Sequence, residues 1–299
     1  MRLPESRDHQ AADEVIDRLV RWARPRDAVR AMLLTSTRAI PGGTVDALSD
    51  FDIILVLRDI HPFVTDKGWI ADLGEVLVAY WDPVEPDTEA GTGIAQSGSI
   101  VQYADGLKID FRLWPVALLE AITRHPALPA ELDAGYRVLL DKDGVARGLR
   151  APSHGSYIPA RPDEATYLTL VNDFFIGAPY VAKCLLRDEV LPAKWCLDYD
   201  MRYVYLRPML EWRMECDHGW AVPVGVNGKG LKKRLPSGIW AELEGTYAGA
   251  GVEDNWASLF RMIALFGRVG REVGAHLGYA YPDDLDRRVT DFVRRMREG

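Results

Sequence analysis

The spacing of hydrophobic residues differs between the two halves of the chain. The first half opens with an amphipathic segment at residues 9–24 that Pro25 ends, and short apolar runs then alternate with polar turns. The Asp105-Gly106 pair between two of these runs is typical of a hairpin turn. This pattern predicts an α/β domain, a mixed sheet with flanking helices. Its strands are expected at residues 28–34, 51–57, 75–80, 99–103, 107–113 and 137–140, with a helix at 115–124.

The second half has the period of helices. Residues 151–162 contain three prolines and a glycine, which indicates a linker. Pro179 is expected to kink or break the first helix beyond it. We therefore predict two domains, residues 1–150 and residues 151–299, the second an all-α helical bundle. Its helices are expected at residues 163–187, 192–216, 237–247, 252–277 and 282–297.

Composition narrows the class of protein. The 299 residues are 48% hydrophobic and 27% charged, which is typical of a globular chain. No apolar run approaches the roughly 18 residues of a membrane span, and the first ten residues do not resemble a signal peptide. The cysteines Cys184, Cys196 and Cys216 are odd in number and lack metal-site spacing, so a reducing, cytoplasmic setting is expected.

The net charge of −8 argues against a nucleic-acid partner, because such proteins contact phosphates through Lys and Arg. An acidic surface would instead attract a small cationic molecule. The same charge is also explained by solubility alone.

The main candidate for chemistry is the pair Asp50 and Asp52, at the head of the apolar run of residues 53–57. Side chains alternate along a strand, so the two carboxylates share a face, with Cα atoms roughly 6.5 Å apart. Like charges this close repel unless a cation lies between them, and oxygen ligands favour Mg²⁺. The alternative is that both residues cap a loop, although an exposed turn needs only one aspartate.

Two further features could join this pair. Ser36, Thr37 and Arg38 form a polar turn after the first strand, and a helix starting there would offer free N–H groups to an anion. Asp110 alternates with Lys108 and Arg112 on the polar side of a later strand, where a solvated strand face is the simpler interpretation.

The order of these elements resembles the nucleotidyltransferase superfamily that includes DNA polymerase β. More specifically, nearly the whole chain is similar to the aminoglycoside 6-adenylyltransferase (streptomycin adenylyltransferase) family. The similar segments are residues 33–38, 49–52, 105–110, 139–143, 180–183, 186–189, 207–212, Gly228-Lys229 with Lys232, and the region from 265 to 282.

The resemblance implies that the first domain is a nucleotidyltransferase domain. It would transfer AMP from ATP, with Mg²⁺, to a hydroxyl of a streptomycin-like aminoglycoside and confer resistance. Asp50, Asp52 and Asp110 would be the catalytic metal ligands, with Asp110 also the most plausible general base. Ser36, Thr37 and Arg38 would contact the triphosphate. Lys183, or else Lys229, would reach the phosphates from the second domain, although Lys183 also fits a plain surface lysine.

One position departs from the family. The superfamily usually has Gly-Ser in the phosphate turn, whereas this chain has Ser36 in the place of the glycine and Thr37 in that of the serine. A Cβ at Ser36 would crowd a phosphate that approaches the backbone. A catalytically silent binder of nucleotide or drug is therefore an alternative, as is transfer to a lincosamide, another small alcohol or a protein side chain.

A cationic acceptor needs carboxylates and aromatic faces. We expect Asp173, Glu189 and Asp198 in the second domain to bind it, although solvated helical charges are the simpler interpretation for most such residues. The nearby aromatic candidates are Phe174, Tyr180, Trp195 and Tyr199. We expect a monomer or weak homodimer without nucleic-acid or membrane partners.

Overall fold

The computed structural model describes residues 5–40, 45–46 and 48–299, with the backbone alone for residues 5–11. The chain divides into two compact units between Ser156 and Tyr157. This division lies inside the segment of residues 151–162 that the sequence marks as a linker. Each unit has its own hydrophobic core.

The first unit contains a mixed sheet flanked by helices, as predicted. Its strands are β1 (Val29–Thr35), β2 (Phe51–Leu57), β3 (Val76–Trp81), β4 (Glu85–Pro86), β5 (Ala95–Tyr103), β6 (Lys108–Pro115) and β7 (Arg137–Asp141). Its helices are α1 (Glu5–Ala23), α2 (His61–Thr65), α3 (Val116–Arg124) and α4 (Ala130–Asp133), with 3₁₀ turns at Ser36–Arg38 and Lys67–Leu73.

The strand order is β3-β5-β6-β2-β1-β7, with β4 paired to β5. The β2–β6 pair is parallel and the other pairs are antiparallel. The predicted strands lie within about two residues of the observed ones, except that β5 starts at Ala95. The short elements β4, α2 and α4 were not predicted, because segments of two to five residues carry too little periodicity.

The two faces of the sheet are covered to different extents. On one face, Phe51, Ile53 and Phe111 pack against Leu19 and Trp22 of α1. On the other face, α3 and α4 cover only the later part of the strands, where Ile54, Val56 and Trp114 are buried. On this second face, the first residues of β2 and β6 are therefore not covered by a helix from residues 5–40, 45–46 or 48–156.

The second unit is helical, as predicted. Its α-helices are α5 (Glu164–Leu186), α6 (Val190–Lys194), α7 (Arg207–His218), α8 (Leu231–Arg234), α9 (Ser237–Glu244), α10 (Val252–Leu277) and α11 (Asp283–Glu298). A π-helix, Trp195–Leu206, and a 3₁₀ turn, Val226–Gly228, complete it. No helix in the part of the chain that the structure describes combines the length and apolarity needed to cross a bilayer.

One prediction about this unit was wrong, and of the kink or break expected at Pro179 the break does not occur. The single helix expected at residues 192–216 is the sequence α6, π-helix and α7, since burial on one side does not distinguish i→i+4 from i→i+5 hydrogen bonding. Pro179 does not break α5, which continues to Leu186. Ala178, Val181 and Ala182 around it are buried, and this packing offsets the lost backbone hydrogen bond.

Candidate active site

The parallel pairing of β2 and β6 places Asp52 opposite Asp110 in register. Asp50 lies two residues before Asp52, at the entry to β2. The three carboxylates predicted from the sequence therefore meet on the sheet face that α3 and α4 leave uncovered. From the sequence alone, Asp110 could also be part of a solvated strand face. The parallel register of β2 and β6 places it beside Asp52.

Lys108 lies between two of these carboxylates. Its Nζ donates hydrogen bonds to Asp50 Oδ2 at 2.7 Å and to Asp110 Oδ2 at 2.9 Å. Burial disfavours the ammonium charge, but these hydrogen bonds outweigh burial and raise the pKa of Lys108. Sequence reasoning placed Lys108 beside Asp110 on the polar strand face and did not identify it as a site residue. The i, i+2 spacing was the available signal.

Asp52 carries the clearest electrostatic perturbation of the site. Burial, with the negative charges of Asp110 and Asp50, raises the pKa of its carboxyl from 3.8 to about 6. A hydrogen bond from the Ser36 side chain and the charge of Lys108 oppose this rise. The single positive charge of Lys108 therefore does not compensate the negative charges of the three neighbouring carboxylates.

Asp50, Asp52 and Asp110 offer the carboxylate oxygens that a divalent cation prefers, but their side chains are not arranged as a ligand set in this structure. Asp110 Oδ1 is buried and, among the described residues, accepts no hydrogen bond, although it lies 2.8 Å from Lys108 Nζ. Within residues 5–40, 45–46 and 48–299, no three Asp, Glu, His or Cys side chains converge closely enough to hold a metal ion. The Lys108 ammonium occupies the space between Asp50 and Asp110, so these carboxylates would bind Mg²⁺ after Lys108 withdraws.

The turn after β1 differs from the expected helix start. Ser36–Arg38 is a single 3₁₀ turn, so the expected anion site at a helix N-terminus is absent from it. Ser36 has φ of 58°, in the left-handed region that favours glycine. The residue that replaces the usual glycine thus retains a glycine-like backbone and adds a side chain that lowers the pKa of Asp52.

Arg38 stabilises the segment that leads into β2. Its guanidinium donates to the carbonyl oxygens of Ser49 at 2.6 Å and Asp50 at 2.9 Å, and lies 4.0 Å from the ring centroid of Phe51. Arg38 therefore holds the segment that presents Asp50. A contact of Thr37 or Arg38 with a triphosphate stays a prediction.

The remaining candidates lie in the second unit. Lys183, Glu189 and Lys229 are exposed, and Asp173 is half-buried. Asp198 of the π-helix is ion-paired with Lys194 of α6 at 2.8 Å and with Arg202 of the π-helix at 2.5 Å. Their roles toward ATP or an acceptor stay predictions.

Phe174 is a core residue, which is the more common role of an aromatic side chain. Its side chain is fully buried and stacks on Phe266 with ring centroids 3.7 Å apart. It is part of the core of the second unit and is closed to a ligand. Tyr180, Trp195 and Tyr199 are exposed.

A further charged group flanks the carboxylates and was missed by sequence reasoning. Arg112 lies 3.6 Å from Asp82 and 3.9 Å from Glu131, measured between nitrogen and oxygen atoms. Burial raises the pKa of Glu131 to about 7, and the charge of Asp52 adds to the rise. Arg112 shares a strand face with Asp110, but nothing in the sequence indicates that Glu131 from α4 approaches it.

Comparisons with known proteins point to one family. A family model described as streptomycin adenylyltransferase matches residues 9–296. The aminoglycoside 6-adenylyltransferase of Bacillus subtilis (strain 168) is 28% identical over 287 residues, 95% of this chain and 97% of the relative. Its namesake from Campylobacter jejuni is 27% identical, with 95% of each chain covered. A crystal structure of an aminoglycoside 6-adenyltransferase from Bacillus subtilis aligns with a TM-score of 0.43 and 24% identity, covering 95% of this chain and 97% of that one.

Proposed function

We propose that this protein transfers AMP from ATP to a hydroxyl group of an aminoglycoside such as streptomycin, because the chain belongs to the streptomycin adenylyltransferase family. Membership makes it a nucleotidyltransferase. The observation that carries the finer proposal is the in-register pairing of Asp52 with Asp110 beside Asp50. This pairing supplies three carboxylates on one open sheet face next to the turn at Ser36.

The three carboxylates share one part in the proposed reaction, and Asp110 has a second. Asp50, Asp52 and Asp110 would hold Mg²⁺, which supplies positive charge to the phosphates when bound. The acceptor oxygen forms a bond to the α-phosphorus, the bond from that phosphorus to the β-phosphate oxygen breaks, and pyrophosphate leaves. Asp110, which pairs in register with Asp52, takes the proton of the acceptor hydroxyl.

Ser36 and Lys108 are positioning residues in this account. The Ser36 side chain lies beside the Asp52 carboxylate and lowers its pKa against the effect of burial. Lys108 offsets part of the negative charge of Asp50 and Asp110 while the metal is absent. The net charge of −8 suits a polycationic acceptor, since it favours the approach of positive charge.

Incubation with Mg²⁺, ATP and streptomycin tests the proposal. We expect release of pyrophosphate and a product whose mass has increased by one AMP. Asp50→Ala and Asp52→Ala should each abolish turnover and retain the fold, whereas Glu120→Ala, an exposed acid on α3, should turn over normally. Absence of turnover with every aminoglycoside in a panel would refute the substrate, and activity in either aspartate variant would refute the metal assignment.

A second candidate is a catalytically silent binder of nucleotide or drug. The side chain of Ser36, at a backbone position that favours glycine, is the observation in its favour. Calorimetry that shows tight binding of ATP or streptomycin, together with no pyrophosphate, would support it, and steady turnover would exclude it. If transfer occurs to another acceptor, such as a lincosamide, the same pyrophosphate assay with that acceptor identifies it.

A further inference from the structure

A row of residues in register crosses the uncovered face of the sheet. From β3 to β1 the paired positions are Tyr80, Ile100, Asp110, Asp52 and Thr35. Neighbouring strands lie about 4.8 Å apart. The carboxylates of Asp110 and Asp52 are in the middle of this row, and the two ends of the row differ in character. The turn that begins at Ser36 follows one end, and Tyr80 forms the other.

The end at Tyr80 is apolar and open. Val78 is 62% exposed, Tyr80 58% and Ile100 41%. Along β3, Ala79 and Trp81 pack on the core-facing side of the sheet. Because side chains alternate along a strand, Val78 and Tyr80 point to the other face, which is the face of Asp110. We call Val78, Tyr80 and Ile100 the apolar platform.

We propose that the apolar platform binds the acceptor molecule of the transfer reaction. The inference rests on the proposed function, because in a displacement at phosphorus the attacking and leaving oxygens lie on opposite sides of the phosphorus atom. If the leaving pyrophosphate lies toward the turn at Ser36, the attacking hydroxyl arrives from the other side of the carboxylates. The platform is the surface on that side, and it begins at the strand next to Asp110.

The charges beside the platform suit a cationic acceptor. Asp82 and Glu131 share the single guanidinium of Arg112 at 3.6 and 3.9 Å, distances longer than hydrogen bonds. The backbone N–H of Asp82 donates to the Gly98 carbonyl, and Gly98 pairs with Arg112. Asp82 and Arg112 therefore lie next to the row that contains Ile100 and Asp110. An amino sugar can stack the C–H face of its ring on Tyr80 while an ammonium or guanidinium group approaches the Asp82 carboxylate.

Methyl NMR of the full chain, with streptomycin as the probe, tests the platform directly. The Ile100 methyl resonance, assigned with Ile100→Val, should shift on addition of streptomycin, whereas that of Ile16 in α1 on the opposite side of the sheet should not. A shift at Ile100 without any turnover would retain the platform and refute the proposed function. Turnover of streptomycin without a shift at Ile100 would refute the platform alone, and neither signal would refute both.

Kinetics of two variants provide a separate test. Tyr80→Ala and Ile100→Ser should raise the KM for streptomycin about tenfold or more, since each removes a large part of an apolar contact. The KM for ATP and kcat should stay within about twofold, and Val138→Ser, a 44%-exposed residue on the edge strand β7, should match the wild type. An unchanged streptomycin KM, or an equal rise in the KM for ATP, would overturn the proposal. A thermal melt of each variant shows whether the fold is retained.

Discussion

Replacing Asp52 with asparagine should stabilise the metal-free protein and abolish transfer. In the absence of metal, Asp52 is charged at neutral pH against burial and against the charges of Asp110 and Asp50. Asparagine keeps the shape and an oxygen that can accept the Ser36 hydrogen bond, but it carries no charge. Neutralising the group removes the unfavourable interaction and also removes a metal ligand.

The size of the effect follows from the pKa. A rise from 3.8 to about 6, at about 1.4 kcal/mol per pH unit, corresponds to at most about 3 kcal/mol. Contact with solvent at the open face and the lost attraction to Lys108 reduce the expected gain to about 1–2 kcal/mol. A change of this size is a large part of the stability of an ordinary domain.

The sign of the pH dependence is fixed by the direction of the shift. Because the folded-state pKa of Asp52 is raised, its destabilising effect is absent below about pH 4, grows as the pH increases, and is complete above about pH 6. Urea unfolding with EDTA should therefore show equal stability of wild type and Asp52→Asn near pH 4 and a more stable variant at pH 7. Asp50→Asn is the matched control, and it should bring no gain because it breaks the ion pair with Lys108. A variant that is less stable than the wild type at pH 7 would refute the reasoning.

Three further predictions concern single residues. Lys108→Met should lower the melting temperature of the metal-free protein. It should also tighten Mn²⁺ binding by roughly 1 kcal/mol, about fivefold, because the competing ammonium is gone. A titration followed by electron paramagnetic resonance measures this binding, and weaker Mn²⁺ binding would contradict the prediction. Ser36→Gly should be about 1 kcal/mol more stable than Ser36→Ala in urea, because only glycine relieves the left-handed backbone; equal stability would show that the turn is unstrained. Phe174→Ala should cost about 3–5 kcal/mol of unfolding free energy, since Phe174 stacks in the core; a loss below about 1 kcal/mol would mean that it is not a core residue.

The fold was predictable where local patterns are strong. The bounds of β2 and α10 agree with the sequence prediction residue for residue, because a continuous β-branched run and an amphipathic stripe of seven turns each have one simple solution. The π-helix was not predictable, since its sequence pattern is that of an ordinary helix. The continuity of α5 through Pro179 depends on packing against distant residues, which periodicity does not report.

The candidate site was predictable in its members but not in its geometry. Asp50 and Asp52 follow from alternation along one strand, whereas the meeting of Asp52 with Asp110 depends on the parallel register of two strands that are distant in sequence. The sequence led us to expect a metal cation between Asp50 and Asp52, which stays a prediction; the positive charge that the structure shows is that of Lys108, between Asp50 and Asp110. Glu131 reaches this region from α4 through the tertiary fold alone.

The central claim is that the α-phosphorus of ATP ends on the acceptor. The most direct measurement uses ATP with radioactive phosphorus at either the α or the γ position, with Mg²⁺ and streptomycin, and separates the products. We predict that streptomycin gains label from α-labelled ATP alone, that γ label appears in pyrophosphate, and that Asp52→Asn gives neither. Label on streptomycin from the γ position, or no labelled acceptor with the wild-type protein, would contradict the account.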